Sequence, residues 1–510
     1  QQIMTKALFT LIIGMTAISC TACSDSNTPE IPDTPVGVEG AVVFNKNKVL
    51  RTFETNPSGM NLNYFVDDDK NLNPTHPLAE SLKKMGVKYL RYPGGDKSDN
   101  NLFAEYPYTK VSPGLTRHGK GTSMGREWFL NEQEDDFRFD PLDFDEFMAL
   151  CREVGAEPIV VVPCDSRNAY LYRDNPAKAA TVTRNLSAQE LEEHAAAWVK
   201  YANVTKGYHV KYWMLGNESW HAGVQWAEGG RYTVDDYAED IRNFSKAMKA
   251  VDPSILIIPN TSCETEDFTK ALFSKAKGYF DMLCISNYPA RFKNGYTDYV
   301  NRKHDVLFPY TGVIEEIKAY APAGQKDMPV IVAEYGSYDW WEGWGFGGDM
   351  GHALCDHEMF GRMLEEPQFA FGCFWTTRWY YENMPGSGWA EFNCLDNNNN
   401  LRISGEMLAF WGQYLYADII EVESGVKQVI AFASSDKTSG NVYLHLLNQN
   451  GIATEVTLKS QSGNISEVTQ VGTMYGKSDT DREPVISHHS VKSGEKVSLK
   501  PYSLTVLRVK

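Results

Sequence analysis

The sequence predicts a (β/α)8 barrel followed by a C-terminal β-sandwich, and three observations carry that expectation. Between residues 55 and 418, short apolar runs alternate with amphipathic helical stretches. Polar residues gather after many of these runs rather than after one. Beyond residue 418 the texture changes to short alternating segments separated by Gly, Asn and Ser.

The apolar runs fall at 87–95, 157–164, 210–218, 255–260, 280–289, 329–336 and 371–379, with 55–65 as the first member. Continuous stretches such as Pro158-Ile159-Val160-Val161-Val162 suit a parallel sheet covered on both faces. Helical spacing marks 76–85, 143–154, 187–202, 237–251, 313–320, 352–364 and 406–416. Ser187 and Glu190 have the spacing of a capping box, and Asp252-Pro253 is a helix stop. Eight strand–helix pairs point to the barrel. A doubly wound sheet is the competing fold, but no GxGxxG follows the first strand and no single switch point collects the polar residues.

The segments 426–433, 441–447, 453–458, 467–471, 496–499 and 504–509 read as sandwich strands, and 42–49 can add one more. The expected division is a leader over 1–23, a tether over 24–40, the barrel over 41–418 and the sandwich over 419–510. The run Asn397 to Asn400 reads as a turn.

Lys6 precedes an apolar run over 7–18, long enough for a signal-peptide core and too short to span a bilayer. The small residues before Cys23 resemble the lipobox of bacterial lipoproteins, with Cys23 or Cys20 as the acylated residue. A secretory peptide cut near Ala22 is the alternative. The expected location is the outer membrane or cell surface of a bacterium, with the periplasm as the alternative. The Ser/Asp/Pro-rich stretch that follows reads as a flexible tether.

Hydrophobic residues make up 42% and charged ones 23%, as in an ordinary soluble protein. A net charge of −17 argues against a nucleic-acid partner, which needs clustered Lys and Arg. The cysteines beyond the leader form no CxxC pair, so neither a zinc site nor a disulfide framework is indicated.

Catalytic groups in such barrels sit at the C-terminal ends of strands. Those ends supply Arg91 and Asp96 after the second strand, Asp165 and Arg167 after the third, and Asn217 and Glu218 after the fourth. Asn287 and Tyr288 follow the sixth, Glu334 and Tyr335 the seventh, and Trp375 and Arg378 the eighth. Two glutamates end strongly apolar strands, and a buried Glu needs a partner or a purpose. Retaining glycoside cleavage gives one: two carboxyl groups about 5–5.5 Å apart, one attacking the anomeric carbon and one protonating the leaving oxygen. A structural pair, each satisfied by Arg or Tyr, is the competing account.

The segments Leu90-Arg91-Tyr92-Pro93-Gly94-Gly95-Asp96, Lys211-Tyr212-Trp213-Met214-Leu215-Gly216-Asn217-Glu218 and Val332-Ala333-Glu334-Tyr335-Gly336 resemble strand motifs of glycoside hydrolase clan A. The closest resemblance is to family 51, the α-L-arabinofuranosidases and related endoglucanases, and residues 142–158 share it. The resemblance implies Glu218 as acid/base, Glu334 as nucleophile and Asn217 as a partner of the sugar 2-hydroxyl. It further implies Tyr288 and Arg91 as donors keeping Glu334 ionised, and Trp375 as the floor under the sugar. No cofactor or catalytic metal is implied, because two carboxyl groups complete the mechanism.

Two departures bear on specificity. Asp96 stands where the family has Asn, and the family's first-strand Glu is replaced by a stretch offering Asn61 and Asn63. Aromatic loops also favour a cleft that grips several sugars: Trp340, Trp341 and Trp344 after the seventh strand, Trp379, Tyr380 and Tyr381 after the eighth, then Trp220, Trp226 and Trp389. His221 is either a subsite contact or structural. The sequence therefore favours an endo-β-glycanase over an exo-acting α-L-arabinofuranosidase. A non-catalytic glycan-binding lipoprotein is the third reading, and Asp96, Trp341 and Trp379 join the expected carbohydrate contacts.

Overall fold

In the computed structural model, eight parallel strands, each beside its neighbours in chain order, wrap into a barrel. The structure describes residues 40–114, 129–131, 136–164, 186–221, 232–289, 291–338, 343–345, 347–384 and 387–510. The expected leader and, apart from Gly40, the tether lie outside them, Cys20 and Cys23 included, as do Asp165, Arg167, Trp226, Trp340 and Trp341. No helix among the described residues is long and apolar enough to cross a membrane.

The strands are β1 Ser58–Asn61, β2 Tyr89–Tyr92, β3 Glu157–Val162, β4 Tyr212–Leu215, β5 Leu256–Pro259, β6 Leu283–Asn287, β7 Val330–Tyr335 and β8 Phe369–Phe374. The seam between β5 and β6 is closed by a parallel bridge between Asn260 and Cys284. The helices after successive strands are α1 Leu78–Lys84, α2 Phe144–Val154, α3 Ala188–Val199, α4 Val234–Val251, α5 Phe268–Lys275, α6 Phe308–Tyr320, α7 Met350–Glu365 and α8 Ile403–Tyr414.

Local chemistry starts several helices where the pattern placed them. Asp143 with Glu146 and Ser187 with Glu190 form reciprocal capping boxes at α2 and α3. Thr233 and Asp236 form a third, so α4 begins earlier than its apolar spacing indicated.

Strand alternation fills the lumen. Ile159, Val161, Met214, Ile258, Cys284, Ile331 and Ala333 pack together inside. Their neighbours Val160, Val162, Trp213, Ile257 and Val332 face the helices. One strand breaks this rhythm. Between Val332 and Glu334, β7 advances two residues while β6 advances one, from Ile285 to Ser286. This bulge lets Ala333 and Glu334 both face inward, while Tyr335 returns to the outer face and stacks on Phe360.

Strands β9 Asp418–Ser424, β10 Val429–Ser435, β11 Val442–Asn448, β12 Thr454–Ser460, β13 Val468–Tyr475, β14 Val485–Ser487, β15 Val491–Ser493, β16 Lys496–Leu499 and β17 Ser503–Val509 build the C-terminal sheet region. The N-terminal strand Ala41–Thr52 joins it, antiparallel to β9 and parallel to β12, so these residues leave the barrel segment to which 41–418 had assigned them. Val42 and Phe44 pack there with Ile420, Leu444 and Leu458. Against the barrel, Phe432 meets Gly361 so closely that an added Cβ would lie 2.5 Å from its ring.

Candidate active site

Arg91 organises the mouth of the barrel. Its guanidinium is 2% exposed and donates to Oε1 of Glu334 at 2.9 Å, Oδ1 of Asn61 at 2.9 Å and Oδ1 of Asn217 at 2.7 Å. Asn61 is anchored in turn, its Nδ2 donating to the Ala333 carbonyl at 2.8 Å. Fixing Oδ1 of Asn217 on Arg91 turns the amide NH2 away from the guanidinium. A planar donor fork suits this three-way role better than an ammonium.

Glu334 is 5% exposed and receives Tyr288 Oη on Oε2 at 2.8 Å. The turn after β2 makes room for it. An added Cβ on Gly95 would lie 2.6 Å from Trp375 and 2.8 Å from Oε1 of Glu334. Gly94, at φ +144°, stands against the Leu62 carbonyl, where a Cβ would come within 2.7 Å.

Glu218 sits just past β4 with φ at 45°, a left-handed conformation uncommon for a residue with a side chain. Asn260 braces it from β5. The Oδ1 of Asn260 accepts from Ser219 N at 2.7 Å, while its Nδ2 donates to Leu215 O at 3.1 Å. Tyr237 on α4 donates to the same Leu215 carbonyl at 2.7 Å. On β6, Ser286 stands in register with Glu334 and its hydroxyl bonds Glu218. Ser286 and Tyr288 are two apart, so one strand face serves both carboxyl groups.

Burial raises both carboxyls. For Glu218, the Ser286 hydroxyl and Arg91 pull the other way and Asp96 pushes up. For Glu334, repulsion from Glu218 adds to burial and outweighs Arg91 and Tyr288, pushing it up to about 7. Two neighbouring carboxyls that repel each other titrate as a pair, so losing one proton makes the second harder to remove. The donors decide where that second proton stays. Glu334 has a cation and a phenol on its two oxygens, and among the described residues no ion pair reaches Glu218. Tyr288 stays protonated, held well above its ordinary value by burial and by Glu334.

The structure thus brings together Arg91, Asn217, Glu218, Tyr288, Glu334 and Trp375, with Asp96 close enough to Glu218 to act on its charge. Asp96 opens a short 3-10 turn, 3.4 Å from the ammonium of Lys97. Lys97 was missed by sequence reasoning. Its side chain is buried, with its ammonium 5.4 Å from the Trp375 ring and 5.3 Å from that of Trp379. Asn260 and Ser286 were missed as well, although two-residue alternation back from Tyr288 points to Ser286.

The aromatic loops require a correction. Trp379 is 3% exposed, packed against Trp375, Tyr380 and Phe392, so its ring backs that of Trp375 and is not open to solvent. Trp344 is buried against Tyr299 and His352, and Tyr380 and Tyr381 are buried too. Trp341 lies outside the described residues. Trp220 packs tilted against His221 with centroids 3.5 Å apart, and burial lowers the His221 pKa to about 4. Asn63 is occupied by the Trp379 carbonyl and Asn61 by Arg91, so neither replaces a first-strand carboxylate. Among the described residues, no group of three His, Cys, Asp or Glu is arranged to hold a metal ion.

A family model described as the alpha-L-arabinofuranosidase 1 domain matches residues 81–304, which include Arg91, Asn217, Glu218 and Tyr288 but not Glu334. Alpha-L-arabinofuranosidase C of Emericella nidulans is 29% identical over 197 residues, covering 36% of this chain. That match spans only 31% of the relative's own length. A thermostable GH51 alpha-L-arabinofuranosidase from Thermotoga petrophila RKU-1 shares the fold over 92% of this chain and 100% of its own, with a TM-score of 0.68 and 15% identity. A Paenibacillus polymyxa xyloglucanase from glycoside hydrolase family 44 shares it over 92% and 99%, with a TM-score of 0.59 and 11% identity. In sequence across residues 81–304 and in fold across 92% of its length, the chain is similar to the alpha-L-arabinofuranosidases of glycoside hydrolase family 51.

Proposed function

We propose that the chain is a retaining glycoside hydrolase that releases α-L-arabinofuranosyl groups, with Glu334 as nucleophile and Glu218 as acid/base. The observation that carries this is the carboxyl pair itself: Glu218, partly buried past the end of β4, and Glu334, buried on β7, with Arg91 joining Glu334 to Asn217. A binding protein has no need to hold two repelling carboxyls together, which disfavours the non-catalytic reading.

In the first step the ionised Glu334 attacks the anomeric carbon as the glycosidic C–O bond breaks. The proton of Glu218 passes to the leaving oxygen. In the second step Glu218 takes a proton from water, and the water oxygen displaces Glu334 from the anomeric carbon. Two inversions leave the configuration retained. In this reading Asn217 hydrogen-bonds the 2-hydroxyl and Trp375 underlies the ring.

The names of the family model and of the curated relatives support the arabinofuranoside over the endo-β-glycanase that the sequence favoured. So does the burial of Trp344 and Trp379, which removes two of the surfaces on which the endo reading rested. The endo-β-glycanase is the second reading because both first-strand asparagines are committed to internal contacts. A time course on arabinan and on β-glucan, with an assay on 4-nitrophenyl α-L-arabinofuranoside, separates them. Arabinose as the first product with fast aryl furanoside turnover supports the proposal. Mixed oligosaccharides from β-glucan with the furanoside inert overturn it in favour of the endo enzyme.

Lys6, the apolar run and Cys23 support an exported, lipid-anchored protein. Cys23→Ala abolishing incorporation of a labelled fatty acid is the expected outcome, and undiminished labelling in a Cys20, Cys23 double variant counts against it.

A further inference from the structure

The C-terminal sandwich extends beyond its own core to one wall of the candidate site. Between β13 and β14, a loop over 476–484 reaches the start of α7. The carbonyl of Asp479 accepts from Gly351 N at 2.6 Å, and that of Asp481 accepts from Met350 N at 2.9 Å. These are first-turn amides, which have no partner within their own helix. The Asp481 carboxylate shapes the loop, accepting from Lys477 N at 2.8 Å and Glu483 N at 3.0 Å.

Arg482 in this loop donates to both oxygens of Glu391, at 2.7 and 3.0 Å. Glu391 and Phe392 line the same pocket as Tyr288 and Trp375. The Phe392 ring lies 4.2 Å from Tyr338 and 5.4 Å from Trp379, which packs on Trp375. On the other side the Glu391 carbonyl abuts Gly348, at φ +90°, where a Cβ would come within 2.9 Å. Three segments therefore interlock: 347–351 after β7, 390–392 after β8, and 476–484 from the sandwich.

We infer that Arg482 is a positioning residue through which the sandwich holds the Glu391–Phe392 wall of the substrate pocket. It touches no reacting atom. Its part is to keep that wall in register with Trp375, so it governs how well the glycosyl group is seated more than how fast the bond breaks. This rests on the glycosidase reading. A bidentate Arg–carboxylate contact fixes direction as well as distance, so an ammonium replaces it only in part. The pair is partly exposed, with side chains 53% and 25% accessible, so its effect is modest.

The test pairs hydrogen exchange with kinetics on the full chain. Arg482→Ala is expected to speed amide exchange in 347–351 and 390–392. On 4-nitrophenyl α-L-arabinofuranoside it raises KM by about two- to fivefold and leaves kcat nearly unchanged. Arg482→Lys should fall between, and the exchanged pair Arg482→Glu with Glu391→Arg should recover most of the loss. Unchanged exchange and KM in Arg482→Ala overturn the inference, as does a fall in kcat with KM unchanged. If the wild-type chain leaves the aryl furanoside intact, the proposed substrate fails while the exchange measurement still decides whether the clasp exists.

Discussion

The Arg91 guanidinium lies 2.9 Å from Glu334, and both side chains are almost wholly buried. Removing one member of such a pair leaves the other desolvated, which costs about 3–5 kcal/mol if it stays charged. Glu334 has an escape, because it can take up a proton. Arg91→Met should therefore raise its pKa further above about 7 and move the acidic limb of the kcat/KM profile upward. The shift expected is about one to three units, the usual effect of a close opposite charge. An acidic limb that stays in place in Arg91→Met means that Arg91 does not control the charge on Glu334.

Stability should respond to Glu334 in the opposite sense to that of an ordinary salt-bridged carboxylate. Its folded pKa, about 7, lies above the reference 4.5, so the folded state binds more protons than the unfolded one. Its stabilising contribution is complete below about 4.5 and is lost as pH rises through about 7. Glu334→Gln removes that loss. The variant should gain stability relative to wild type between these values, by roughly 3 kcal/mol from 1.36 kcal/mol per unit, while turnover falls by several decades. Urea unfolding at pH 4.5 and pH 8 measures the difference. A gap that narrows with rising pH contradicts the sign argued here.

For Glu218 the informative variable is the leaving group. An aryl leaving group needs little protonation, whereas a sugar hydroxyl needs a great deal. Glu218→Ala should therefore slow arabino-oligosaccharides far more than 4-nitrophenyl α-L-arabinofuranoside. The basic limb of the aryl furanoside profile should also disappear, because it reports the second proton leaving the pair. Equal losses on both substrates would point to a role in holding the loop.

Much of this site is legible in the sequence because it lies at strand ends that announce themselves by apolar runs. Asn217 and Glu218 close one run and Glu334 another, and the capping-box spacing at Ser187 marks where a helix begins. What composition cannot reveal is which aromatic rings face water. Trp344 and Trp379 sit in polar loops, yet loop packing buries both. Lys97 was passed over because lysine is seldom buried, and two indoles and Asp96 make its burial tolerable. Asn61 stands in the stretch that lacks the family's first-strand Glu, and only the structure shows that Arg91 occupies it. The bulge in β7 is hidden for a different reason: strict alternation puts Glu334 on the helix side, and only the register against β6 shows otherwise.

That bulge yields the last prediction. Ala333 and Glu334 are consecutive residues that both face the lumen, and the extra residue makes this possible. Deleting Ala333 removes the extra residue and leaves a regular ladder in which Glu334, now next to Val332, still faces the lumen opposite Ser286, and Tyr335 still faces Phe360. What the deletion takes away is the local bend, and with it the placement of the carboxylate against Arg91 and Tyr288. The deletion should therefore fold yet lose turnover by about a hundredfold, the usual effect of misplacing a catalytic group by about 1 Å. Ala333→Gly, which keeps the residue count, should retain activity within about tenfold, because it removes one small lumen methyl worth roughly 1 kcal/mol. Circular dichroism melting and turnover of both variants decide the matter. A deletion variant as active as Ala333→Gly shows that Glu334 reaches the site without the bulge.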